Sequence, residues 1–190
     1  MSRGKGNPAL RCPRCYLLRA WCLCAYVPRV QTTARFLVVR HMTERFKGSN
    51  TARLVPLALP NSELWDLGVP GEPLDTSGLG APGDWLLFPS AQPLRAPPVP
   101  PPRRIIVVDG SWTQARRMVQ RIGALREMPR FALPAAEAPL QRLRRPPRDD
   151  GLSTLEAVAA AVERLGDEPG AELLRRLHAL FVGCVLATRG

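Results

Sequence analysis

The sequence predicts an α/β domain built on a mainly parallel sheet, and three observations carry that expectation. Ile105-Ile106-Val107-Val108 is β-branched and apolar at consecutive positions, as a parallel strand covered on both faces requires. Short apolar runs alternate along the chain with stretches of helical periodicity, the mark of layered strand–helix units. Hydrophobic residues make up 45% of the 190, enough for one domain with a real core plus a small appendage.

The elements follow in order. Residues 1–30 carry the cysteines and little periodicity, and are expected as an N-terminal segment ahead of a main domain over residues 31–190. Phe36-Leu37-Val38-Val39 reads as a buried strand, Asn50-Thr51 opens a helix through Leu57, and Leu64–Leu67 reads as a second strand. Asp66–Asp84 is rich in glycine and proline and reads as loop. Trp85–Phe88 reads as a strand that stops at Pro89, and proline-dense Gln92–Pro102 as a stiff, extended connector. A helix is expected from Trp112 to Ile122 with Gly123 as its stop, then a strand over Arg130–Leu133. Leu140–Asp150 is basic and broken by prolines. Helices are expected over Thr154–Leu165, ended by Gly166, and over Ala171–Ala187.

No apolar run approaches the ~20 residues of a membrane span, and Met1–Leu10 lacks the apolar stretch of a signal peptide. The expectation is a cytoplasmic protein with no membrane partner. The balance of 27 Lys+Arg against 16 Asp+Glu leaves +11, a charge that draws polyanions by neutralising phosphates and releasing counterions. Lys5 and Lys47 are the only lysines. Arginine suits bidentate phosphate contacts and stacking on bases, although a GC-rich genome favours arginine as well.

Four of the five cysteines fall within Cys12–Cys24. A cytosolic chain keeps its thiols reduced, so a tight cluster argues for metal over disulfides. Cys12-Pro-Arg-Cys15 and Cys22-Leu-Cys24 offer four thiolates, a filled tetrahedral zinc shell with no open position for catalysis. Metal would supply folding energy that so short a segment otherwise lacks. Four reduced cysteines without metal is the plainer alternative, and a redox pair is disfavoured because no strand–helix unit follows.

Asp109-Gly110-Ser111-Trp112 follows directly on the Ile105–Val108 strand, and open α/β sheets bind ligands beyond the carboxyl ends of their strands. Gly110 permits a sharp turn and Ser111 can cap the next helix. Spacing alone supports a turn-and-cap role equally well. Ser153 and Glu156 form a capping box, which by itself marks only a helix start. His41 and Glu44, with Asn50, Thr51 and Arg53, set polar groups after the first strand, where ordinary surface residues also occur. Basic stretches from Arg116 to Arg130 and from Arg142 to Arg148 follow the Asp109 motif and suggest an RNA track.

Taken together and in this order, these features resemble the DTW-domain family of tRNA-uridine aminocarboxypropyltransferases, relatives of the SPOUT methyltransferases. The resemblance runs from the Cys12–Cys24 cluster through His41, Asn50-Thr51, Leu86-Leu87-Phe88-Pro89-Ser90, Asp109-Gly-Ser-Trp112 and Leu152-Ser-Thr-Leu-Glu-Ala157. The family's Asp-x-Thr-Trp motif stands here with Ser111 in place of threonine, which keeps the hydroxyl. The resemblance implies a SPOUT-like fold with a C-terminal trefoil knot, preceded by a structural zinc segment held by Cys12, Cys15, Cys22 and Cys24. It implies an S-adenosylmethionine pocket lined by Phe88, Pro89, Ser90, Asp109, Gly110, Ser111, Trp112, Leu152, Ser153 and Thr154.

The implied reaction moves the 3-amino-3-carboxypropyl group to N3 of a tRNA uridine and releases methylthioadenosine. Asp109 is then the candidate base for the N3 proton. His41, Glu44, Asn50, Thr51, Arg53, Arg116, Arg144 and Arg145 are the candidate contacts to RNA. The implied enzyme is a monomer. A SPOUT-type RNA methyltransferase and a non-catalytic zinc RNA-binding module remain the alternatives.

Overall fold

A computed structural model describes residues 8–72, 75–92, 94, 96–134, 143 and 151–188. Among these, four strands form one sheet: β1 (Arg35–His41), β2 (Ser62–Leu67), β3 (Asp84–Leu87) and β4 (Arg104–Asp109). Their order is β2-β1-β4-β3 and every pairing is parallel. Consecutive residues of the two central strands therefore point to opposite faces, and both faces are covered. Phe36, Val38, Ile105 and Val107 enter one apolar cluster, and Leu37, Val39 and Ile106 enter the other.

Helix α1 (Val55–Ala58) follows a short turn over Ala52–Leu54 and joins the first cluster. Helices α2 (Trp112–Arg121) and α3 (Gly123–Glu127) cover the opposite face through Met118, Val119 and Leu125. Helix α4 (Thr154–Arg164) contacts β4 on the first face, and α5 (Glu168–Ala187) packs against α4 with Leu174, Leu177 and Phe181. Leu17 and Leu23, from the cysteine segment, are buried in that same cluster. No helix among the described residues is long and apolar enough to cross a membrane.

Most expected elements lie within a few residues of their sequence positions. Both capping boxes form: Ser111 with Gln114 starts α2, and Ser153 with Glu156 starts α4. Leu165 and Gly166, at φ +95°, end α4. Asp167 caps α5 by accepting from Gly170 N at 2.9 Å, so this helix begins three residues before Ala171.

Two expectations change. Gly123 does not stop the helical region; Ile122 does, with ψ 105°, and Gly123 opens α3. Arg130–Leu133 forms no strand of its own. Its backbone joins β3 only locally, where Leu86 N donates to Pro129 O and Phe131 N to Leu86 O, both at 2.8 Å.

Phe181 is fully buried in the larger cluster. Phe181→Ala should lower the unfolding free energy by about 3–5 kcal/mol, measured as a shifted denaturant midpoint at unchanged slope.

Candidate functional site

The site begins with a row of charges across the sheet. Arg40 of β1 stands opposite Asp66 of β2 on one side and Asp109 of β4 on the other, in register. Side-by-side residues on parallel strands share a face, so the guanidinium lies between two carboxylates. Arg40 clamps Asp66, Nε to Oδ1 at 2.7 Å and Nη2 to Oδ2 at 3.0 Å. Asp109 is left to other donors. Asn50 Nδ2 donates to Oδ2 at 2.6 Å and Thr154 Oγ1 to Oδ1 at 2.5 Å.

Burial raises the Asp109 carboxyl above the ordinary carboxylate range, and the nearby Glu44 charge adds to the effect. The hydrogen bonds from Thr154 and Asn50 and the charge of Arg40 pull the other way without cancelling it. Glu44 is itself buried and pairs with Lys47 Nζ at 2.5 Å. Arg40 Nη1, Asn50 Oδ1 and Arg53 Nε are buried with no hydrogen-bond partner among the described residues. The centre thus holds a proton-accepting oxygen pair in a buried, polar surround.

A cavity of about 380 Å³ opens beyond the carboxyl ends of β3 and β4. Leu87, Phe88, Pro89, Val108, Trp112 and Leu133 make its apolar wall, and Ser90, Gly110, Gly151 and Thr154 its polar edge. Phe88 and Trp112 meet edge to face, with centroids 6.2 Å apart. The corner at Gly110 is tight, since a Cβ there would stand 3.0 Å from Gln114 Cβ. Such a lining suits a flat heterocycle with polar arms. A larger hollow, about 860 Å³, shares Leu133, Pro134 and Leu152 but has neither Gly110 nor Thr154 in its wall. The smaller one is joined to Asp109 through Thr154.

The structure brings most of the expected pocket residues together. Phe88, Pro89, Ser90, Gly110, Trp112, Leu152 and Thr154 line the cavity. Asp109 lies behind it, joined through Thr154, which belongs to both. Ser111 and Ser153 are spent as caps, accepting from Gln114 N and Glu156 N. The Ser153 hydroxyl also lies 3.0 Å from His178 Nε2.

The expected RNA contacts divide. Glu44, Asn50, Thr51 and Arg53 are buried and offer no surface to a phosphate, and of the four Asn50 bonds Asp109. Thr51 Oγ1 accepts from Leu155 N at 3.3 Å, and Arg53 Nη2 donates to Arg45 O at 2.5 Å. Burial, then the neighbouring Arg40 charge, brings the Arg53 guanidinium down to about 10. His41 is half-buried beside Thr43 and Gln114, and Arg116 is exposed on α2. Arg144 and Arg145 lie outside the described residues.

Sequence reasoning passed over Arg40 and Gln114. Arg40 had a visible signal, a charge at a core-facing position of an otherwise apolar strand. Gln114 ties α2 to the turn after β1 by donating to Thr43 Oγ1 at 2.9 Å, a long-range contact with no local mark.

Cys12, Cys15, Cys22 and Cys24 place their sulfurs within 4.8 Å of one another. The Cys12–Cys24 and Cys15–Cys22 pairs are 3.7 and 3.9 Å apart. Tetrahedral thiolate–metal bonds of about 2.3 Å put sulfurs roughly 3.8 Å apart, so the cage can hold a metal ion. Burial works against ionising Cys12, but backbone donors from Cys15 and Arg14 and the adjoining thiols bring it down to about 6. Burial and its cysteine neighbours push Cys24 up to about 12. Four thiols this close can ionise together only around a cation. The protein purified without added metal should carry one ion per chain by elemental analysis, and Cys24→Ser should lose it. Metal-free protein with an unchanged fold would remove the site.

The DTW domain family model matches residues 9–186. The curated tRNA-uridine aminocarboxypropyltransferase 2 of Macaca fascicularis is 26% identical over 193 aligned positions, covering 92% of this chain. The alignment covers 64% of that relative, so the chain spans less than two thirds of its length. No solved structure matches. A single family model that takes in the cysteine cage, all four strands and the Asp109 corner leaves one conclusion: the chain belongs to the DTW domain family.

Proposed function

We propose that this protein is a tRNA-uridine aminocarboxypropyltransferase, moving the 3-amino-3-carboxypropyl group of S-adenosylmethionine to N3 of a tRNA uridine. The observation that carries the reading is a buried, pKa-raised Asp109 joined by Thr154 to an aromatic-walled cavity at the sheet's carboxyl edge. Membership of the DTW family and the name of the relative support it. The reading carries with it a SPOUT-like fold with a C-terminal knot, and the all-parallel sheet is compatible with such a fold. It also carries a structural zinc ion in the four-cysteine cage.

When bound, S-adenosylmethionine supplies an electrophilic carbon on its amino-acid arm and leaves as methylthioadenosine. The chain's own residues do the rest. Phe88 and Trp112 would form an apolar wall against the heterocycle, while Ser90, Gly110 and Thr154 would offer polar atoms to its arms. Asp109 takes the imide proton through Thr154, whose hydroxyl passes its own proton to Asp109 and receives that of N3 as the nitrogen attacks. A carboxyl at a helix N-terminus would be a weak base; burial offsets this by raising its pKa towards the working pH. Asn50 and Thr154 hold the two oxygens in place for the transfer.

Asp109→Asn separates the base from the cap. Because burial raises the carboxyl above its value in the unfolded chain, its contribution to stability is fullest below the unfolded pKa. That contribution is lost as pH rises through the folded pKa. The amide escapes this loss, and a flip of Asn50 can present its unpartnered Oδ1 to the new N–H group. At neutral pH the variant should therefore melt at or above the parent's temperature, while turnover falls by about 10²–10⁴-fold. Near-normal turnover would leave Asp109 only a turn-and-cap role.

The transferred group is read from masses. With S-adenosylmethionine and unmodified tRNA, the protein should yield methylthioadenosine and a uridine heavier by one aminocarboxypropyl group. S-adenosylhomocysteine with a methylated nucleoside would make it a methyltransferase, and no product with any RNA would favour a binding module.

A further inference from the structure

We propose that the aromatic–arginine cluster of Tyr16, Phe46, Arg11 and Arg45 is a docking surface on which an unpaired nucleotide of the RNA substrate stacks. The inference rests on the RNA-modifying reading above and adds to it the surface that receives the strand.

Phe46 is 63% exposed, in the run Arg45-Phe46-Lys47, whose other two residues are also exposed. Its ring is not loose. Phe46 meets Tyr16 with centroids 6.2 Å apart and planes tilted by 52°. The Arg45 guanidinium lies over Phe46 at 5.4 Å, and those of Arg53 and Arg11 over Tyr16 at 4.4 and 5.2 Å. Tyr16 adopts φ 62°, the one left-handed non-glycine conformation among the described residues, in the turn straight after Cys15. Arg11 Nη1 fixes that turn by donating to Tyr16 O at 2.9 Å. The cysteine segment thus delivers one ring of the pair and the loop after β1 the other.

The chemistry selects the occupant. Every base has a face that stacks on an aromatic ring, and cations beside the ring meet the phosphates on either side. Arg45 contacts Asp66 at 3.6 Å and Lys47 pairs with Glu44, so the cations are held near the ring without being buried. An apolar protein surface laid over Phe46 would have to desolvate those charges, whereas a nucleotide uses both ring and cations. A chain of +11 also favours a polyanion over an acidic or neutral protein surface.

Position supports the same conclusion. The loop from Glu44 to Arg53 has an inner side, where Asn50 holds Asp109 and Glu44 raises its pKa, and an outer side carrying Arg45, Phe46 and Lys47. A base stacked outside is therefore one loop's thickness from the acidic centre.

The test uses the full chain and measures affinity for tRNA, a single-stranded oligouridine and duplex RNA over a salt series. Phe46→Ala should weaken tRNA and single-strand binding by roughly 5- to 100-fold, as loss of one base–aromatic stack does. Duplex affinity and the salt slope should not move, because no phosphate contact is lost. Phe46→Trp should restore binding, and melting temperatures should match the parent, since the ring is exposed. Parent-like tRNA affinity in Phe46→Ala, an equal loss for duplex RNA, or a failure of tryptophan to rescue would each overturn the docking surface while the transferase reading stands. A parent protein that binds no RNA would overturn both.

Discussion

A carboxylate buried at the end of a central strand is the constraint on which the rest of this structure depends. Asp109 is nearly inaccessible, and a charge so placed is tolerated only where donors and countercharge converge on it. Each comes from a different element. Arg40 reaches it from β1, Asn50 from the loop after β1, and Thr154 from the first turn of α4. Pairing β1 with β4, seating the loop over their carboxyl ends and starting α4 at residue 154 are conditions of keeping Asp109 in place.

Thr154 makes this centre more than a structural knot of charges. Its hydroxyl donates inward to Asp109 while the residue lines the cavity, so a molecule in the pocket and the acidic group share one helix N-terminus. On the opposite side, Arg53 lies over Tyr16, and Leu17 and Leu23 enter the core. The cysteine segment thus packs against the loop that carries Asn50 and Arg53.

Local chemistry was legible where it is written in consecutive residues. The β-branched run before Asp109, the two capping boxes and the glycine after α4 all act within a few positions, and each element formed where they indicate. Gly123 misled because glycine permits a helix to end without requiring it; the extended backbone of Ile122 makes the break, and glycine then begins α3. Arg130–Leu133 has strand-like composition, yet it meets only the short edge strand β3 and pairs there for a single bridge.

The site divides along the same line. From sequence alone came the residue types: four cysteines at metal-binding spacing, an acid at a strand's carboxyl end, hydroxyls at two helix starts and a large positive charge. Tertiary structure decided which of them face one another and which face water. Glu44, Asn50, Thr51 and Arg53 read as surface contacts in a polar loop, but all four are buried, and Asn50 turns inward to a carboxylate 59 positions beyond it. Burial is a property of what packs on top, and sequence spacing carries no record of a partner supplied by α4 or by the cysteine segment. For the same reason Arg40 and Gln114 acquired their roles only when strands and helices were brought side by side, while the charge of the chain and the bonding capacity of its cysteines were its own from the start.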